Sequence, residues 1–141
     1  MSTVVKSKYK IGKLITEDVL FKVYSGEHLK TKQPVSIWFY KPLFLNHSII
    51  IDLINMTEKL LLINHPNLLK VLDYFYDGNN FYTICEPITG YKVFQDIMHN
   101  LNKLNLVSRW KIVTKILELL MLLEHKQLFH DNLNFRHILI N

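Results

Sequence analysis

Alternation of apolar and polar positions predicts β-strands through most of the first two thirds of the chain. Successive side chains of a strand point to opposite faces of a sheet, so such segments are typical of strands with a buried face. Asp77-Gly78-Asn79 separates the last two segments and favours a hairpin. The five predicted strands are Tyr9 to Leu14, Leu20 to His28, Val35 to Tyr40, Leu68 to Tyr76, and Asn80 to Glu86.

Helical spacing of apolar residues appears in three places. Asn46-His47-Ser48 can cap a helix that runs to about Ile63, and His65-Pro66-Asn67 would stop it. Val93 to Met98 favours a short second helix. Val107 to Lys126 carries the strongest helical pattern, with apolar positions on more than one face. We therefore expect this long helix to be buried on nearly all sides.

Composition narrows the class of protein. The 141 residues are 49% hydrophobic and 21% charged, which is typical of one globular domain or part of one. The single cysteine, Cys85, excludes an internal disulfide and fits a reducing compartment. The chain shows no secretory signal and no apolar run long enough to span a bilayer. These features predict a cytoplasmic protein, without excluding an organelle or a cytoskeletal assembly.

Charge and ligand spacing limit the candidate chemistry. The net charge is +5, but the lysines are scattered except for a cluster over residues 6–13. A solvated basic face is therefore favoured over a specific nucleic-acid site. No Cys/His spacing indicates zinc, so no metal site is expected.

The order of the elements, together with five short motifs, resembles a protein kinase from its first strand to just beyond its catalytic loop. In that family the loop reads H-R-D-L-x-x-x-N and is followed by a short apolar strand. The last thirteen residues resemble this loop, and Ile138 to Asn141 would form the strand. The motifs are Val23-Tyr24-x-Gly26, Val35-x-Ile37, His65-Pro66-Asn67-Leu68-Leu69, Ile84-Cys85-Glu86-Pro87, and His130 to Asn141.

The resemblance implies an α+β fold and a division of the chain. Residues 1–86 would form a kinase-like N-lobe, a five-stranded antiparallel sheet plus one helix. Residues 87–91 would be the hinge, and 92–141 a partial C-lobe with two helices, a degenerate catalytic loop and the start of a strand. The sequence would end before the metal-binding D-F-G motif of kinases.

At the positions where kinases carry catalytic and phosphate-binding groups, this chain has other residues. Trp38 stands where a lysine should grip the phosphates, and Met56 where a glutamate should pair with that lysine. An apolar pair in place of a buried ion pair can be neutral or stabilising. In the loop, the catalytic Asp, the Lys and the metal-binding Asn become Asn132, Asn134 and His137.

The positions that bind the nucleotide in kinases are also occupied by other residues in this chain. Kinases use glycines above the phosphates because the backbone must come close to them. We expect Trp38 to fill the cleft, and no cofactor is expected, although ATP is not excluded. The three glycine positions fall on Thr16, Asp18 and Phe21, and a vestigial adenine pocket would be lined by Val23, Ser36, Cys85 and Leu139.

The resemblance therefore predicts a protein that is not an enzyme. The expected function is that of a pseudokinase-type interaction or scaffold module, a subunit of a larger assembly. Alternatives are a nucleotide-binding switch without phosphotransfer and an atypical active kinase using Asp131 or Lys22. Among degenerate kinases, Thr31-Lys32-Gln33, Cys85-Glu86-Pro87 and His130-x-Asn132 are similar to the Scy-like pseudokinases.

The long helix is also the predicted interface. In the kinase arrangement it packs on a later helix of the C-lobe, so an uncovered apolar face marks a site for a partner. We expect a protein partner, a second copy or further residues of the same polypeptide to cover this helix and the chain end. The candidate interface residues are Trp110, Val113, Ile116, Leu117, Leu120 and Leu123.

Overall fold

The computed structural model describes residues 4–94, 104–128 and 137–140. The helices are α1, His47–Leu61, and α2, Leu106–His125, with a short 3-10 helix at Pro42–Phe44. The strands are β1 Val4–Val5, β2 Tyr9–Glu17, β3 Phe21–His28, β4 Pro34–Tyr40, β5 Val71–Tyr76, β6 Phe81–Cys85, β7 Lys92–Val93 and β8 Leu139–Ile140.

The chain divides into two compact units. The first comprises Met1–Asn64 with Leu69–Thr89, and the second His65–Leu68 with Gly90–Asn141. The first unit contains a six-stranded sheet in the order β1-β2-β3-β4-β6-β5, and every neighbouring pair is antiparallel. The expected α+β class is confirmed, with a curled sheet that is compatible with a kinase-like N-lobe.

Local sequence signals act as predicted at two boundaries of the first unit. The Asn46 side chain accepts a hydrogen bond from the Ile49 amide at 2.9 Å and so caps α1. In the β5–β6 turn, Gly78 has a φ of 93°, a conformation that suits glycine. The Asp77 carboxylate accepts from the Asn80 amide at 2.7 Å and closes this turn.

The sheet has a sixth strand that the sequence analysis did not predict. Val4–Val5 pairs with the start of β2 through a turn in which Lys6 and Ser7 have φ values of 53° and 50°. Turns with two positive-φ residues usually carry asparagine or glycine, so this sequence gives no turn signal. β1 is also only two residues long, too short to show alternation.

Two salt bridges and two further hydrogen bonds draw the two edges of the sheet together. Lys6 and Lys8 place their Nζ atoms 3.3 and 3.1 Å from the Asp73 carboxylate oxygens. The Tyr9 hydroxyl donates to the same carboxylate at 3.1 Å, and Lys6 also donates to the Tyr74 carbonyl at 3.3 Å. We call these contacts the Asp73 clasp. Because β1 and β5 are the two ends of the strand order, the clasp holds the sheet in its curled form.

The central strand β4 is buried on both faces of the sheet. Val35, Ser36 and Ile37 are consecutive and all buried, as expected of an interior strand covered on two sides. Ile37 belongs to a core cluster on one face, with Tyr9, Val35 and Ile84. The opposite face, which contains Ser36, forms the candidate site.

The second unit contains α2 and a two-stranded ribbon. Asn105 caps α2 by accepting from the Ser108 amide at 2.8 Å. The Asn67 side chain donates to the Lys115 carbonyl at 3.5 Å, which places the His65–Leu68 loop beside this helix. Among the described residues, no helix is long and apolar enough to cross a membrane.

The short helix predicted over Val93 to Met98 needs correction at its start. Lys92–Val93 is strand β7 and pairs with Leu139–Ile140. Val93 is β-branched and finds a pairing strand, which outweighs the weak helical pattern. Residues 95–98 lie outside the described residues. The strand predicted at the chain end is present as β8.

Candidate functional site

Strand register gathers several predicted site residues on one face of the first-unit sheet. Trp38 lies opposite Val23 of β3 and opposite Thr83 of β6. Ser36, two residues before Trp38, lies opposite Cys85. Directly opposed residues of antiparallel strands share a face, so these side chains form one surface. We call it the cleft face, after the nucleotide cleft implied by the resemblance.

A chain of hydrogen bonds connects Trp38 to the backbone just after β6. The Trp38 indole Nε1 donates to the Ser36 hydroxyl at 3.2 Å, and that hydroxyl donates to the Glu86 carbonyl at 2.7 Å. Ser36 is fully buried, so its hydroxyl needs these partners inside the protein. The polar groups of Trp38 and Ser36 are therefore satisfied within the first unit.

Aromatic side chains form a connected series on the cleft face, beginning with the contact between Trp38 and Phe21. The Phe21 ring centroid lies 5.0 Å from that of Trp38 and 6.3 Å from that of Tyr40. Tyr40 is 5.4 Å from Phe81, and Phe81 is 6.0 Å from Tyr74. These separations are typical of attractive aromatic pairs. We call the five side chains the aromatic cluster.

Phe21 is the partner of Trp38 that the sequence analysis missed. It stands at the third glycine position of the resemblance, while Trp38 stands at the lysine position. The signal was present, because two phosphate-binding positions had both become aromatic. What was lacking was the β3–β4 register, which brings Phe21 opposite Tyr40 and diagonal to Trp38.

The predicted Trp38–Met56 pair stays a prediction. Met56 lies on α1 and is half-buried. Two residues later, Glu58 accepts a hydrogen bond from the Tyr74 hydroxyl at 2.9 Å, which raises the pKa of Tyr74. Tyr74 lies opposite Thr83 on the cleft face. A carboxylate of α1 thus contacts the sheet through a tyrosine hydroxyl.

The other two glycine positions lie at the end of the β2–β3 hairpin. Thr16 lies opposite Val23 and is exposed. The Asp18 carboxylate accepts from the Val19 amide at 2.6 Å, and the Asp18 amide donates to the Phe21 carbonyl at 2.9 Å. The Asp18 side chain therefore stabilises the turn.

Lys22, the alternative candidate for a phosphate-binding lysine, lies on the face of the sheet opposite to the cleft face. It is opposite Phe39, so it points away from the face that carries Trp38. Its Nζ atom lies 3.6 Å from Glu17, and Lys41 lies 2.7 Å from the same carboxylate. The Lys41 contact is the main cause of the lowered pKa of Glu17.

Burial raises the pKa of two titratable groups of the cleft face above their ordinary values. It raises the pKa of the Cys85 thiol to about 12, and that of the Tyr40 hydroxyl also to about 12. A thiol with such a pKa is a poor nucleophile and a poor metal ligand. Cys85 acts as a small apolar residue at the end of β6.

Only some of the residues predicted for the catalytic loop and the adenine pocket lie among the described residues. Asn132 and Asn134 lie outside the described residues. His137 and Leu139 belong to the second unit, where both are half-buried. Across residues 4–94, 104–128 and 137–140, no group of three or more His, Cys, Asp or Glu side chains is placed to hold a metal ion.

Helix α2 has an exposed apolar face instead of burial on nearly all sides. Of the predicted interface residues, Trp110, Val113 and Leu117 are 62%, 43% and 54% exposed. Ile116 and Leu120 are half-buried.

Leu123, also predicted at the interface, is only 4% exposed and lies on the buried side of the helix. Two exposed residues, Leu106 and Met121, extend the accessible face at its two ends. Helical spacing predicted the apolar positions but not which of two apolar faces is covered.

Comparison with known proteins indicates a relationship to protein kinases. The chain is 28% identical over 94 residues to CBL-interacting protein kinase 33 of Oryza sativa subsp. japonica, covering 66% of this chain and 21% of that protein. CBL-interacting protein kinase 32 of the same species is 27% identical, with 66% and 22% covered. The probable serine/threonine-protein kinase pXi of Dictyostelium discoideum is 28% identical over 98 residues, with 70% and 14% covered.

The matches are partial. They span about a fifth or less of the length of these relatives. No model of a known protein family matches the chain. A kinase-like relationship is therefore supported at low identity.

The expectation that this protein is not an enzyme requires correction. All three relatives carry the name of a protein kinase. Their names contradict the conclusion drawn from missing motif residues and point to a possible enzyme. Trp38 and Met56 are substitutions on one strand and one helix of this chain. They do not decide whether the protein is catalytically active.

Proposed function

We propose that this chain is a protein-interaction module built on a protein-kinase-like lobe and that it serves within a larger assembly. The observation that carries the proposal is the exposed apolar face of α2. Trp110 is a large aromatic residue, and 62% of its surface is accessible. Exposed aromatic side chains with apolar neighbours are the usual anchors of protein interfaces.

The cleft face supports a structural role for the sheet. Phe21 and Trp38 pack against each other at positions where kinases hold phosphates. The hydrogen bonds from Trp38 through Ser36 to the Glu86 carbonyl connect this cluster to the backbone just after β6. Such a face forms a rigid platform, which suits a module whose contacts are made elsewhere.

Nucleotide binding linked to phosphotransfer is the second candidate function. It is favoured by the protein-kinase names of the relatives and by the shared face of Val23, Ser36 and Cys85. A carbonyl oxygen has two lone pairs, so Glu86 retains capacity for another donor beside Ser36. A nucleotide would then need phosphate partners other than Trp38. A nucleotide-dependent switch without transfer is a variant of this candidate.

Titration with ATP and Mg²⁺ separates the two candidates. A saturable rise in melting temperature supports nucleotide binding, because a ligand that binds only the folded state stabilises it. Transfer of a labelled γ-phosphate that is lost in Asp131→Ala would establish phosphotransfer. An unchanged melting temperature at millimolar ATP would argue against this candidate.

The interaction proposal is tested by capture from the native source with matched variants. Leu117→Asp places a charge on the exposed face of α2. Val19→Asp places the same charge on an exposed residue of the first unit, 64% accessible. We expect Leu117→Asp to lose a protein that the wild type and Val19→Asp both retain. Equal capture by all three would refute the proposal.

Three finer assignments belong to the same proposal. We place the kinase-like N-lobe at residues 1–86, the hinge at 87–91 and the partial C-lobe at 92–141. The resemblance to the Scy-like group rests on sequence motifs alone. A cytoplasmic location would fit a single buried thiol at Cys85.

A further inference from the structure

One side of α2 carries a continuous row of exposed apolar residues. They recur at intervals of three or four, which places them on one side of a helix. Their exposed fractions range from 43% to 69%. We call this row the apolar stripe, and its members are Leu106, Trp110, Val113, Leu117 and Met121.

A shallow, open depression on the surface of α2 lies beside the stripe, and we call it the groove. All of its described lining residues belong to α2, and Val107 and Trp110 are the large apolar ones. Lys111 and Lys115, one helical turn apart, also line it, and Glu118 is the one acidic residue among these described residues. The first turn of α2 carries no acidic side chain that could offset the positive helix N-terminus.

We propose that the stripe and groove bind an acidic amphipathic helix of another protein. This inference rests on the proposed interaction function and specifies its partner. Apolar residues of such a helix would cover the stripe, in the manner of helix-in-groove recognition. Its acidic side chains would meet Lys111 and Lys115. Complementary charge of this kind selects the partner and speeds its association.

Charge favours this occupant over a second copy of the chain. Each copy carries a net charge of +5, so association would bring two cationic molecules together. A second copy would also present the same Lys111 and Lys115 edge on its own α2. An acidic helix brings no such repulsion and covers the same apolar area.

Two designed helical peptides with identical leucine stripes test the proposal. One probe carries glutamate on its flanks and the other lysine, and binding is followed by fluorescence anisotropy at low salt. We expect the glutamate probe to bind about tenfold tighter or more, with a preference that weakens as salt screens the charges. Leu117→Asp should weaken both probes.

Reversing the charges of Lys111 and Lys115 gives the decisive test of the probe preference. The Lys111→Glu/Lys115→Glu variant should invert the preference, so that the lysine probe binds better. Lys111→Gln/Lys115→Gln should remove the preference without inverting it. Both variants change exposed side chains, and circular dichroism verifies that they fold. Equal binding of the two probes to the wild type, or an unchanged preference after reversal, would overturn the proposal.

Three further outcomes separate this inference from the function on which it rests. Sedimentation velocity showing a dimer that Leu117→Asp abolishes would assign the stripe to a second copy and overturn the acidic partner. If the probes show no preference while native capture still depends on Leu117, the interaction function stands without the acidic helix. If native capture does not depend on Leu117, the interaction function itself fails.

Discussion

The cleft face of the first unit and the apolar stripe of α2 both carry large apolar and aromatic side chains. These side chains contact one another on the cleft face but are exposed on the stripe. On the cleft face, aromatic rings contact one another, and the Trp38 indole N–H has a partner in Ser36. On the stripe, Trp110 and its apolar neighbours remain 43% to 69% exposed. The same residue types therefore stabilise the fold in one unit and remain accessible to a partner in the other.

Truncation of a large aromatic residue should give the largest contrast between the two surfaces. Phe81 is fully buried within the aromatic cluster, so Phe81→Ala should lower the free energy of unfolding by about 3–5 kcal/mol. Trp110→Ala, at an exposed position, should change it by less than about 0.5 kcal/mol. Urea denaturation of both variants measures the difference. Equal losses would mean that the stripe is part of the folded core.

A methyl group added at Gly26 should disturb the opposite face of the sheet. A Cβ atom there would lie 2.5 Å from Cδ1 of Ile37 and 3.1 Å from the Lys10 carbonyl oxygen. Overpacking of this kind costs about 1–3 kcal/mol, so Gly26→Ala should be destabilised by that amount in thermal or urea unfolding.

Ile37→Val removes Cδ1 and provides the control for Gly26→Ala. The double variant should lose less stability than the sum of the two single losses, because the residues are in contact. Strict additivity would show that the clash is relieved elsewhere.

Asp73→Asn should lower the free energy of unfolding at neutral pH by about 1–2 kcal/mol, because the Asp73 clasp loses its negative charge. Partial burial works to raise the pKa of Asp73, but contacts with Lys8, Tyr9 and Lys6 lower it overall. Asp52→Asn, at an exposed position of α1, serves as the matched control and should have little effect.

The same variant predicts a dependence on pH. The pKa of an aspartate in an unfolded chain is about 3.9, and that of Asp73 in the fold lies below it. Its stabilisation is therefore complete above the unfolded value and is lost as pH falls through the folded value. Wild type should lose stability on acidification through this window more steeply than Asp73→Asn. Parallel curves would contradict the role given to the clasp.

The smallest effect on stability is expected at the stripe. Leu117→Asp should change the free energy of unfolding by no more than about 0.5 kcal/mol, because the side chain is already exposed. It should also reduce binding of a hydrophobic dye by the isolated chain. Leu123→Asp, on the buried side of α2, should instead destabilise the protein strongly. Similar behaviour of the two variants would remove the distinction between the two faces.

Local signals in the sequence predicted much of the first unit. Strand alternation, the Asn46 cap and the Asp77-Gly78-Asn79 turn each act over a few residues, so one sequence is enough to recognise them. β1 was missed because its turn uses Lys6 and Ser7 in a conformation that these residues rarely adopt. The Lys8 amide closes that turn by donating to the Val5 carbonyl at 3.1 Å, and Lys6 also contacts Asp73 and Tyr74, which are distant in sequence.

The candidate sites were harder to predict, since they depend on pairing between elements. The substitutions at Phe21 and Trp38 were visible, but their contact follows from strand register. On α2, apolar residues surround much of the helix, and spacing alone does not separate Leu117 from Leu123. The expectation that the protein is not an enzyme was wrong for a different reason. It extended the absence of a few motif residues to the activity of the whole protein.

The Asp73 clasp also bears on the order in which the first unit folds. Lys6 and Asp73 are 67 residues apart in the sequence. Closing so long a loop costs chain entropy before any contact compensates for it, and such distant contacts slow folding. The β1–β2 hairpin precedes β5 along the chain, so it must wait for β5 to be synthesised before its lysines find their carboxylate. We therefore expect this hairpin to be among the last parts of the first unit to acquire its native contacts.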